Sequence, residues 1–507
     1  MAGHYTPDRS QRGAEPSPPP AERDRYDADV MSRPNLLIFM PDQLRADCVG
    51  AFGNPVIQTP NIDALAARGT RFEQAYSQHS VCSPSRVSIF TGWYPHVAGH
   101  RTLTHLLKPW EPNLLRLLRD AGYHVAWMGQ RGDTFAAGGT AESTDFYGFR
   151  TNPKFVFQKS PYPPEHRYAR TFYHGRRSGE TPALDFDEAT VRSAESWLAE
   201  GPPEPWVLFL ALIFPHPPFE VEDPWYALHD RGEVPLPVDC ELSRKPAFVR
   251  ALREAYGTDR LDEKDWREIV ATYYGMIARV DDQLGRVLRA VDEAGARERT
   301  ATAFFTDHGE YLGDYGLIEK WPAGVDDCLV RNPLILQVPG APEGGRSRQL
   351  VELVDLLPTL LELAETEAQH THFGRSLVPL LTDPNARHRD AAFSEGGFTA
   401  DEAHLLERAG FPYDLKAKVQ HDDPKHIGKV IAIRTPEWSY VHRIYDRPEL
   451  YDRKRDPRER ENRAGEPEFA EIECALRERV LDWLLETSDV IPWQPDPRFD
   501  PGPPESA

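Results

Sequence analysis

Short hydrophobic runs, each followed at once by polar residues, recur along the chain. The clearest candidates for buried strands are residues 36–40, 123–128, 206–213, 300–305 and 333–338. Amphipathic stretches with helical spacing lie between or after these runs, and the principal ones cover residues 61–68, 111–120, 266–291 and 353–364. Strands that alternate with helices are typical of an α/β protein with a mainly parallel sheet.

Polar residues of catalytic or metal-binding type directly follow several of these predicted strands. In an open parallel sheet the ligand site lies beyond the carboxyl ends of the strands. We therefore expect the residues at these positions to converge in space, and they are Asp42, Gln43, His216, Asp307 and His308.

The two ends of the chain and its C-terminal part differ from this pattern. Residues 1–33 are polar and proline-rich, without the apolar core of a signal peptide, and we expect a disordered leader. The main α/β domain is predicted over residues 34–370. Two short alternating runs and a final helical stretch predict a small α+β domain over 371–490, after an irregular region that reaches about residue 425. Residues 491–507 are rich in Pro and Asp and predict a flexible tail.

Charge and cysteine content narrow the possible partners. The formal net charge is -21, which disfavours binding to nucleic acid or to anionic membranes, so an anionic substrate requires a locally positive pocket. No apolar run approaches membrane-spanning length. The five cysteines are widely spaced and suit reduced thiols, which predicts a cytoplasmic protein.

One cysteine stands in a setting of its own. Cys82-Ser83-Pro84-Ser85-Arg86 precedes a short helical pattern at residues 87–91, and a helix N-terminus with a nearby arginine favours anions and lowers a thiol pKa. Taken alone, Cys82 is more commonly explained as an ordinary buried cysteine. Its spacing to Arg86 does not fit the Cys-x5-Arg loop of thiol phosphatases.

The motif Cys82-x-Pro84-Ser85-Arg86 resembles the signature of the formylglycine-dependent sulfatases, whose cysteine is oxidised by a separate maturation enzyme. Lys320 and eight further segments are similar to the same family. The resemblance therefore covers roughly residues 34–485. The segments are 34–38, 42–43, 59–66, 91–96, 216–219, 306–313, 354–360 and 449–452. The resemblance implies an alkaline-phosphatase-like α/β/α sandwich with a small C-terminal α+β domain.

The resemblance also implies a metal site. It would be formed by Asp42, Gln43, Asp307, His308 and an oxygen of modified Cys82. Hard oxygen ligands suit calcium, magnesium or manganese, and calcium is the ion we expect. The imidazole of His308 moves the preference toward manganese.

The family's chemistry assigns roles to the remaining residues. A hydrated formylglycine carries two hydroxyls, of which one attacks sulfur and expels the alcohol while the other later ejects inorganic sulfate. Arg86 would hold the hydrate and the anions of the metal site, and Lys320 would bind the sulfate oxygens. His216 would steady or protonate the leaving oxygen. Each also has an ordinary explanation, as a helix-pairing arginine, a surface lysine or a loop histidine.

The chain departs from the family after the predicted strand 123–128. Sulfatases typically carry Gly-Lys there, often with a histidine two positions beyond the lysine, whereas this chain has Gly129-Gln130-Arg131-Gly132. We hypothesise that Arg131 supplies the missing charge and binds substrate.

This departure keeps three functions open. The leading one is hydrolysis of a small-molecule sulfate monoester. The alternative is hydrolysis of a phosphonate monoester or phosphodiester, because enzymes of that class resemble sulfatases and also lack the Gly-Lys element. A non-catalytic binding protein on the same fold is the third. We expect the alcohol part of the substrate to contact variable loops such as 141–180 and 220–260.

Overall fold

The computed structural model describes residues 33–154, 160–410 and 412–491, so the predicted leader and tail lie almost entirely outside the described residues. The strands are β1 Asn35–Met40, β2 Thr70–Tyr76, β3 His124–Met128, β4 Phe146–Gly148, β5 Tyr173–Arg176, β6 Trp206–Ala211, β7 Phe219–Val221, β8 Thr300–Phe305, β9 Arg331–Gln337, β10 Gly345–Glu352, β11 Ala392–Gly396, β12 Val430–Arg434, β13 Trp438–Arg443 and β14 Glu449–Asp452. The α-helices are α1 Pro60–Arg68, α2 Cys82–Thr91, α3 Pro95–Ala98, α4 Leu114–Asp120, α5 Gly139–Ser143, α6 Phe186–Ala199, α7 Ala247–Tyr256, α8 Glu263–Glu293, α9 Asp327–Val330, α10 Leu356–Leu363, α11 Val378–Thr382, α12 Asp414–Asp422, α13 Pro424–Ile427 and α14 Ala470–Glu486. Within these ranges, none of the helices combines the length and the apolar composition needed to traverse a bilayer.

Eight strands form the central sheet, in the order β10-β2-β9-β8-β1-β6-β3-β4. The four neighbours β8, β1, β6 and β3 all run in the same direction. In contrast, β9 is antiparallel to both β8 and β2. The sheet is therefore mainly parallel, as the alternation of apolar runs and helical stretches predicts.

Burial explains the composition of the central strands. Every residue of β1, β6 and β8 is buried. The sequences of β1 and β6 are almost continuously apolar, and β8 differs only in two buried threonines. Strands read this way when both faces of a parallel sheet are covered. The helix α8 is 31 residues long and packs against α1 and α6.

The topology brings the carboxyl ends of four adjacent strands to one edge of the sheet. In their spatial order, these ends lead into Asp307 after β8, Asp42 after β1, His216 after β6 and Arg131 after β3. The polar residues that follow the predicted strands consequently share one edge.

The C-terminal part contains a separate antiparallel sheet, in the order β11-β12-β13-β14, with α14 packed against β12 and β13. The predicted α+β character is thereby confirmed, while the boundary at residue 370 stays a prediction. The stretch expected to be irregular also contains β11 and α12. The α12 segment is strongly polar, and its few apolar residues do not form a recognisable amphipathic helical pattern.

Local chemistry accounts for a difference at α4. The sequence pattern predicts a helix from residue 111, but the helix begins at Leu114. Asn113 has extended backbone and its side chain accepts a hydrogen bond from the backbone N–H of Arg116, so Asn113 is the N-cap.

Asp281 of α8 stabilises the first turn of α1. Its carboxylate accepts the backbone N–H groups of Asn61 at 2.9 Å and of Ile62 at 2.7 Å. Because Asp281→Ala leaves these donors without that partner, we expect the free energy of unfolding to fall by about 2 kcal/mol. Urea denaturation measures this loss. The adjacent Asp282→Ala is the control, with an expected change under about 0.5 kcal/mol; equal losses in the two variants would contradict the assigned contact.

Candidate active site

A buried arginine organises the edge of the sheet where the four strands end. Arg86 lies in α2 and has no exposed side-chain surface. Its Nε donates to Asp307 Oδ2 at 2.8 Å, and its Nη2 donates to Asp42 Oδ2 at 3.0 Å. Its third nitrogen, Nη1, donates to Asp133 Oδ1 at 2.7 Å. One guanidinium thus fixes three carboxylates.

Cys82 is the first residue of α2, where its side chain lies next to these carboxylates. The helix begins five residues earlier than the sequence pattern predicts, because the whole motif 82–86 is helical and buried. The Cys82 sulfur lies 3.6 Å from Asp42 Oδ2 and 3.3 Å from His308 Nε2. Burial, followed by the charge of Asp42, raises the pKa of the Cys82 thiol well above its ordinary value.

Four predicted ligands meet at this point. One donor atom from each of Asp42, Cys82, Asp307 and His308 lies within 4.8 Å of the others. His308 Nδ1 donates to the carbonyl oxygen of Gly309 at 2.9 Å, which leaves the Nε2 lone pair directed at the cluster. Asp42 Oδ1 and Asp307 Oδ1 lie 3.6 and 3.9 Å from that nitrogen. Two carboxylates and a neutral imidazole form a donor set that fits a divalent cation.

The charges of the cluster are strongly perturbed. Burial would raise the pKa of Asp42, but Arg131, His216 and Arg86 outweigh it and hold that pKa well below its usual range. Burial lowers the pKa of His308, so its imidazole is neutral and able to bind a metal ion.

Gln43 occupies a different place from the other predicted ligands. Its backbone N–H donates to Asp307 Oδ1 at 3.2 Å, and its φ of 65° puts it in the left-handed region that a glutamine rarely adopts. Its side-chain amide donates to Glu310 and accepts from Lys320 Nζ at 2.6 Å. Gln43 therefore joins the metal cluster to Lys320, and its role as a metal ligand stays a prediction.

Glu310 is a residue that the sequence reasoning passed over. Its Oε2 accepts the Gln43 amide, while its Oε1 accepts the backbone N–H groups of Leu312 and Glu319. It is fully buried, and burial together with Glu319 raises its pKa to about 7. In the sequence, Glu310 is only one residue of a segment that is similar to the family. Its role could not be recognised there, because its hydrogen bonds join residues that are far apart in sequence.

Lys320 lies deep in the site and not on the surface. Its side chain is 4% exposed, and its ammonium contacts Gln43 and Glu319. Burial opposes the charge, yet Cys82, Glu319 and Asp42 keep the pKa of Lys320 well above its ordinary value. Lys320 therefore places a permanent positive charge beside Cys82.

Arg131 forms ion pairs with two carboxylates of the site. Its Nη2 donates to Asp42 Oδ2 at 2.6 Å and to Asp133 Oδ2 at 2.5 Å. Gln130, by contrast, is exposed and its side-chain nitrogen lies near Gly148. Arg131 thus brings a cation to the site from the position after the usual lysine, while its contact with substrate stays a prediction. Asp133, which binds both Arg86 and Arg131, was not foreseen.

A cavity of about 460 Å³ opens beside His216. His216 Nδ1 donates to the carbonyl oxygen of Pro217 at 2.7 Å, so Nε2 is the nitrogen that remains for chemistry. Burial, followed by the charge of Lys320, lowers the pKa of His216 to about 4. The cavity walls include Tyr162, Phe172, Pro217, Pro218, Tyr413 and Leu415.

The cavity only partly follows the loops expected to contact the alcohol. Residues 162–174 belong to the predicted loop 141–180, whereas the opposite wall comes from residues 412–415. None of the described lining residues comes from 220–260. The Tyr413 ring lies 6.5 Å from the His216 ring, which connects this wall to the catalytic candidates.

Comparison with known proteins gives a consistent result. A family model described as Sulfatase matches residues 34–366. The multifunctional alkaline phosphatase superfamily protein PehA of Trinickia caryophylli is 28% identical, over 90% of this chain and 96% of that protein. The N-acetylglucosamine-6-O-sulfatase of Bacteroides thetaiotaomicron is 24% identical, over 91% of this chain and 88% of that protein.

Among solved structures, the phosphonate monoester hydrolase of Agrobacterium radiobacter aligns with a TM-score of 0.69. It is 23% identical in sequence, and the alignment covers 90% of this chain and 96% of that chain. At this identity the likeness concerns the fold alone. The predicted alkaline-phosphatase-like fold is confirmed.

The position of Cys82 leads to a prediction for protein in which this residue is unmodified. Because the thiol is buried and its pKa is raised, we expect iodoacetamide at pH 8 to leave Cys82 unlabelled while it labels the exposed Cys474. Peptide mass spectrometry measures both sites, and unfolding in urea before labelling should make them equally reactive. Equal labelling of both cysteines in the folded protein would contradict the buried placement.

Proposed function

Because the chain belongs to the sulfatase family and is an enzyme of the sulfuric ester hydrolase class, we propose that it hydrolyses a small-molecule sulfate monoester with residue 82 as formylglycine. The observation that carries this proposal is the placement of Cys82 at the N-terminus of α2, against Asp42 and His308. A helix N-terminus favours an anion at this point. Formylglycine would supply, once hydrated, a hydroxyl that attacks sulfur and a second hydroxyl that allows release of sulfate.

The residues that would hold a divalent ion are Asp42, Asp307, His308 and the modified residue 82, with Gln43 as a further candidate. Such an ion would lower the pKa of the attacking hydroxyl and neutralise the transferring group. Calcium is proposed first, with manganese or magnesium as alternatives. Arg86 binds Oδ2 of both aspartates, so an ion would be held through their Oδ1 atoms. Asp42 Oδ1 lies toward His308, whereas Asp307 Oδ1 also accepts the backbone N–H groups of Gln43 and His308.

The remaining side chains act on the substrate directly. Lys320, bound to Gln43, and Arg131, bound to Asp42, are the two cations that would meet the negative charge of a sulfate ester. His216 is neutral in the free site at pH 7, and an anion bound beside it would raise its pKa. His216 Nε2 can then give a proton to the leaving alcohol oxygen. The cavity beside His216 is placed to hold the alcohol part.

A phosphonate monoester or phosphodiester is the second candidate substrate. The absence of the family's usual lysine favours it, since Gln130 leaves Arg131 as the cation at the end of β3. The phosphonate monoester hydrolase of Agrobacterium radiobacter has the same fold, which is compatible with this class of substrate. A phosphodiester and a sulfate monoester both carry one negative charge, so the charges of the site suit either. Only turnover can separate them.

Two further parts of the proposal concern the cell. We propose that a formylglycine-generating maturation enzyme is a partner, since residue 82 of the signature is a cysteine. We also propose a cytoplasmic location, which is supported by the four cysteines other than Cys82, none of them in a disulfide.

The proposal is tested on protein made in its native host. We expect peptide mass spectrometry to find the aldehyde in place of the Cys82 thiol, and the same sample to cleave 4-nitrophenyl sulfate faster than bis(4-nitrophenyl) phosphate. Cys82→Ala should abolish turnover, because it removes the nucleophile. Faster phosphodiester cleavage would promote the second candidate. An intact thiol with neither substrate cleaved would reject the formylglycine mechanism and favour a binding protein.

The metal site gives a separate prediction with a readout other than turnover. Removing a bound ion should lower the melting temperature, because Asp42 and Asp307 lose a shared counter-charge. At a hundredfold excess over Kd, the ion should stabilise the fold by about 2.7 kcal/mol. Calcium, manganese and magnesium are compared by differential scanning calorimetry after chelation, with Asp307→Asn as the matched variant. An equal response in the variant would rule out the assigned ligands.

A further inference from the structure

A buried ion triad connects Lys320 to a helix outside the central sheet. Glu319 Oε1 lies 2.9 Å from Lys320 Nζ, and Glu319 Oε2 lies 3.0 Å from Lys416 Nζ. All three side chains are at most 4% exposed. Lys416 belongs to the first turn of α12, in the stretch that the sequence pattern left irregular. Buried charges of this kind require partners, because water does not compensate them.

The order of charges within the triad matters for an anionic ligand. Lys320 also donates to Gln43 Oε1, so its ammonium faces the metal cluster on one side and Glu319 on the other. With Glu319 as its sole ionic neighbour, Lys320 would be neutralised as a pair. Lys416 adds a second positive charge on the far side of Glu319, so two cations and one anion leave one net positive charge beside Cys82.

We infer that Lys416 is a positioning residue for the anionic substrate: it binds Glu319 so that the charge of Lys320 remains available to the ester. This inference rests on the proposed function, because it assigns the substrate anion to Lys320. Lys416 Nζ donates to Glu319 and also lies 5.9 Å from the centre of the Tyr413 ring. Its effect on the anion is assigned to the bond with Glu319.

The same helix also shapes the place of the alcohol part. Tyr413 is the residue that precedes α12, and its ring lies 6.5 Å from the His216 ring in the wall of the cavity. Residues 413–416 therefore contact both sides of the site, Tyr413 on the side of the leaving alcohol and Lys416 on the side of the transferred anion. A shift of α12 would alter both together.

The test compares Lys416→Met with the wild type in steady-state kinetics. Met keeps the length of the side chain and removes its charge, so we expect KM for the ester to rise roughly tenfold, the size expected for one charge-assisted interaction, with kcat within about twofold. The matched control is Lys418→Met on the same helix, where Lys418 is exposed and pairs with Asp422. That control should behave as the wild type.

Two more variants separate charge from packing. Lys416→Arg retains the charge and should keep KM within about threefold of the wild type. The double variant Glu319→Gln/Lys416→Met removes both partners and leaves Lys320 unopposed, so its KM should return toward the wild-type value. A purely structural Lys416 predicts instead that the double variant is no better than the single one.

The outcomes distinguish this inference from the proposed function. If the wild type, with residue 82 converted, cleaves neither ester, the proposed function itself has failed. If the wild type is active and Lys416→Met retains its KM, the inference is overturned and the proposed function stands. If Lys416→Met fails to fold, the double variant decides, because it removes both charges of the Glu319–Lys416 pair. A KM near the wild-type value supports the inference, and a tenfold increase in KM overturns it.

Discussion

The structure of the site depends on one buried guanidinium. Arg86 offers three nitrogens to Asp42, Asp307 and Asp133, and no water reaches its side chain. Two of these carboxylates end neighbouring strands, and carboxylates forced so close together would repel each other without a cation between them. Removing either the arginine or a carboxylate leaves an uncompensated buried charge. The resulting loss of folding free energy is far larger than the stabilisation that an exposed ion pair provides. Arg86 therefore fixes the spacing of the strand ends as well as the orientation of their side chains.

Besides Arg86, positive charges reach the site from three further parts of the chain. Arg131 follows β3, Lys320 lies in the segment after β8, and Lys416 is supplied by α12. The loops after β1 and β8 thus contribute the predicted metal ligands and α2 contributes Cys82, whereas Lys320 and Lys416 come from longer connections. A protein with net charge -21 needs this local concentration of cations if it is to bind an anion.

The sequence indicates the central sheet and the position of the site well, because both follow from local signals. The runs that become β1 and β6 are almost wholly apolar and that of β8 is mostly so, and polar residues shortly after these strands are the ones that converge. Other features depend on contacts between distant residues. Glu310 and Asp133 look like ordinary acidic residues until folding places them against Gln43 and Arg86.

The departures from the predicted elements have the same origin. The polar composition of α12 hides the fact that Lys416 is buried, since its partner Glu319 lies almost a hundred residues earlier. At the end of β3, the side chain that turns toward the site is that of Arg131 and not that of Gln130, because Arg131 pairs with Asp42 in the folded chain. Pattern reading assigns a residue to the end of a strand, but it does not say which way the side chain turns.

The burial of Cys82 has a consequence for how active protein accumulates. In the folded chain this cysteine is buried at the start of α2, against its carboxylate neighbours and out of reach of a second protein. If the thiol is to be converted, conversion competes with folding during synthesis, and every chain that folds first is a stable product without its nucleophile. The active fraction is then fixed by the relative speed of two processes at the ribosome, and faster expression lowers it. Adding more modifying enzyme to the purified protein would not restore it.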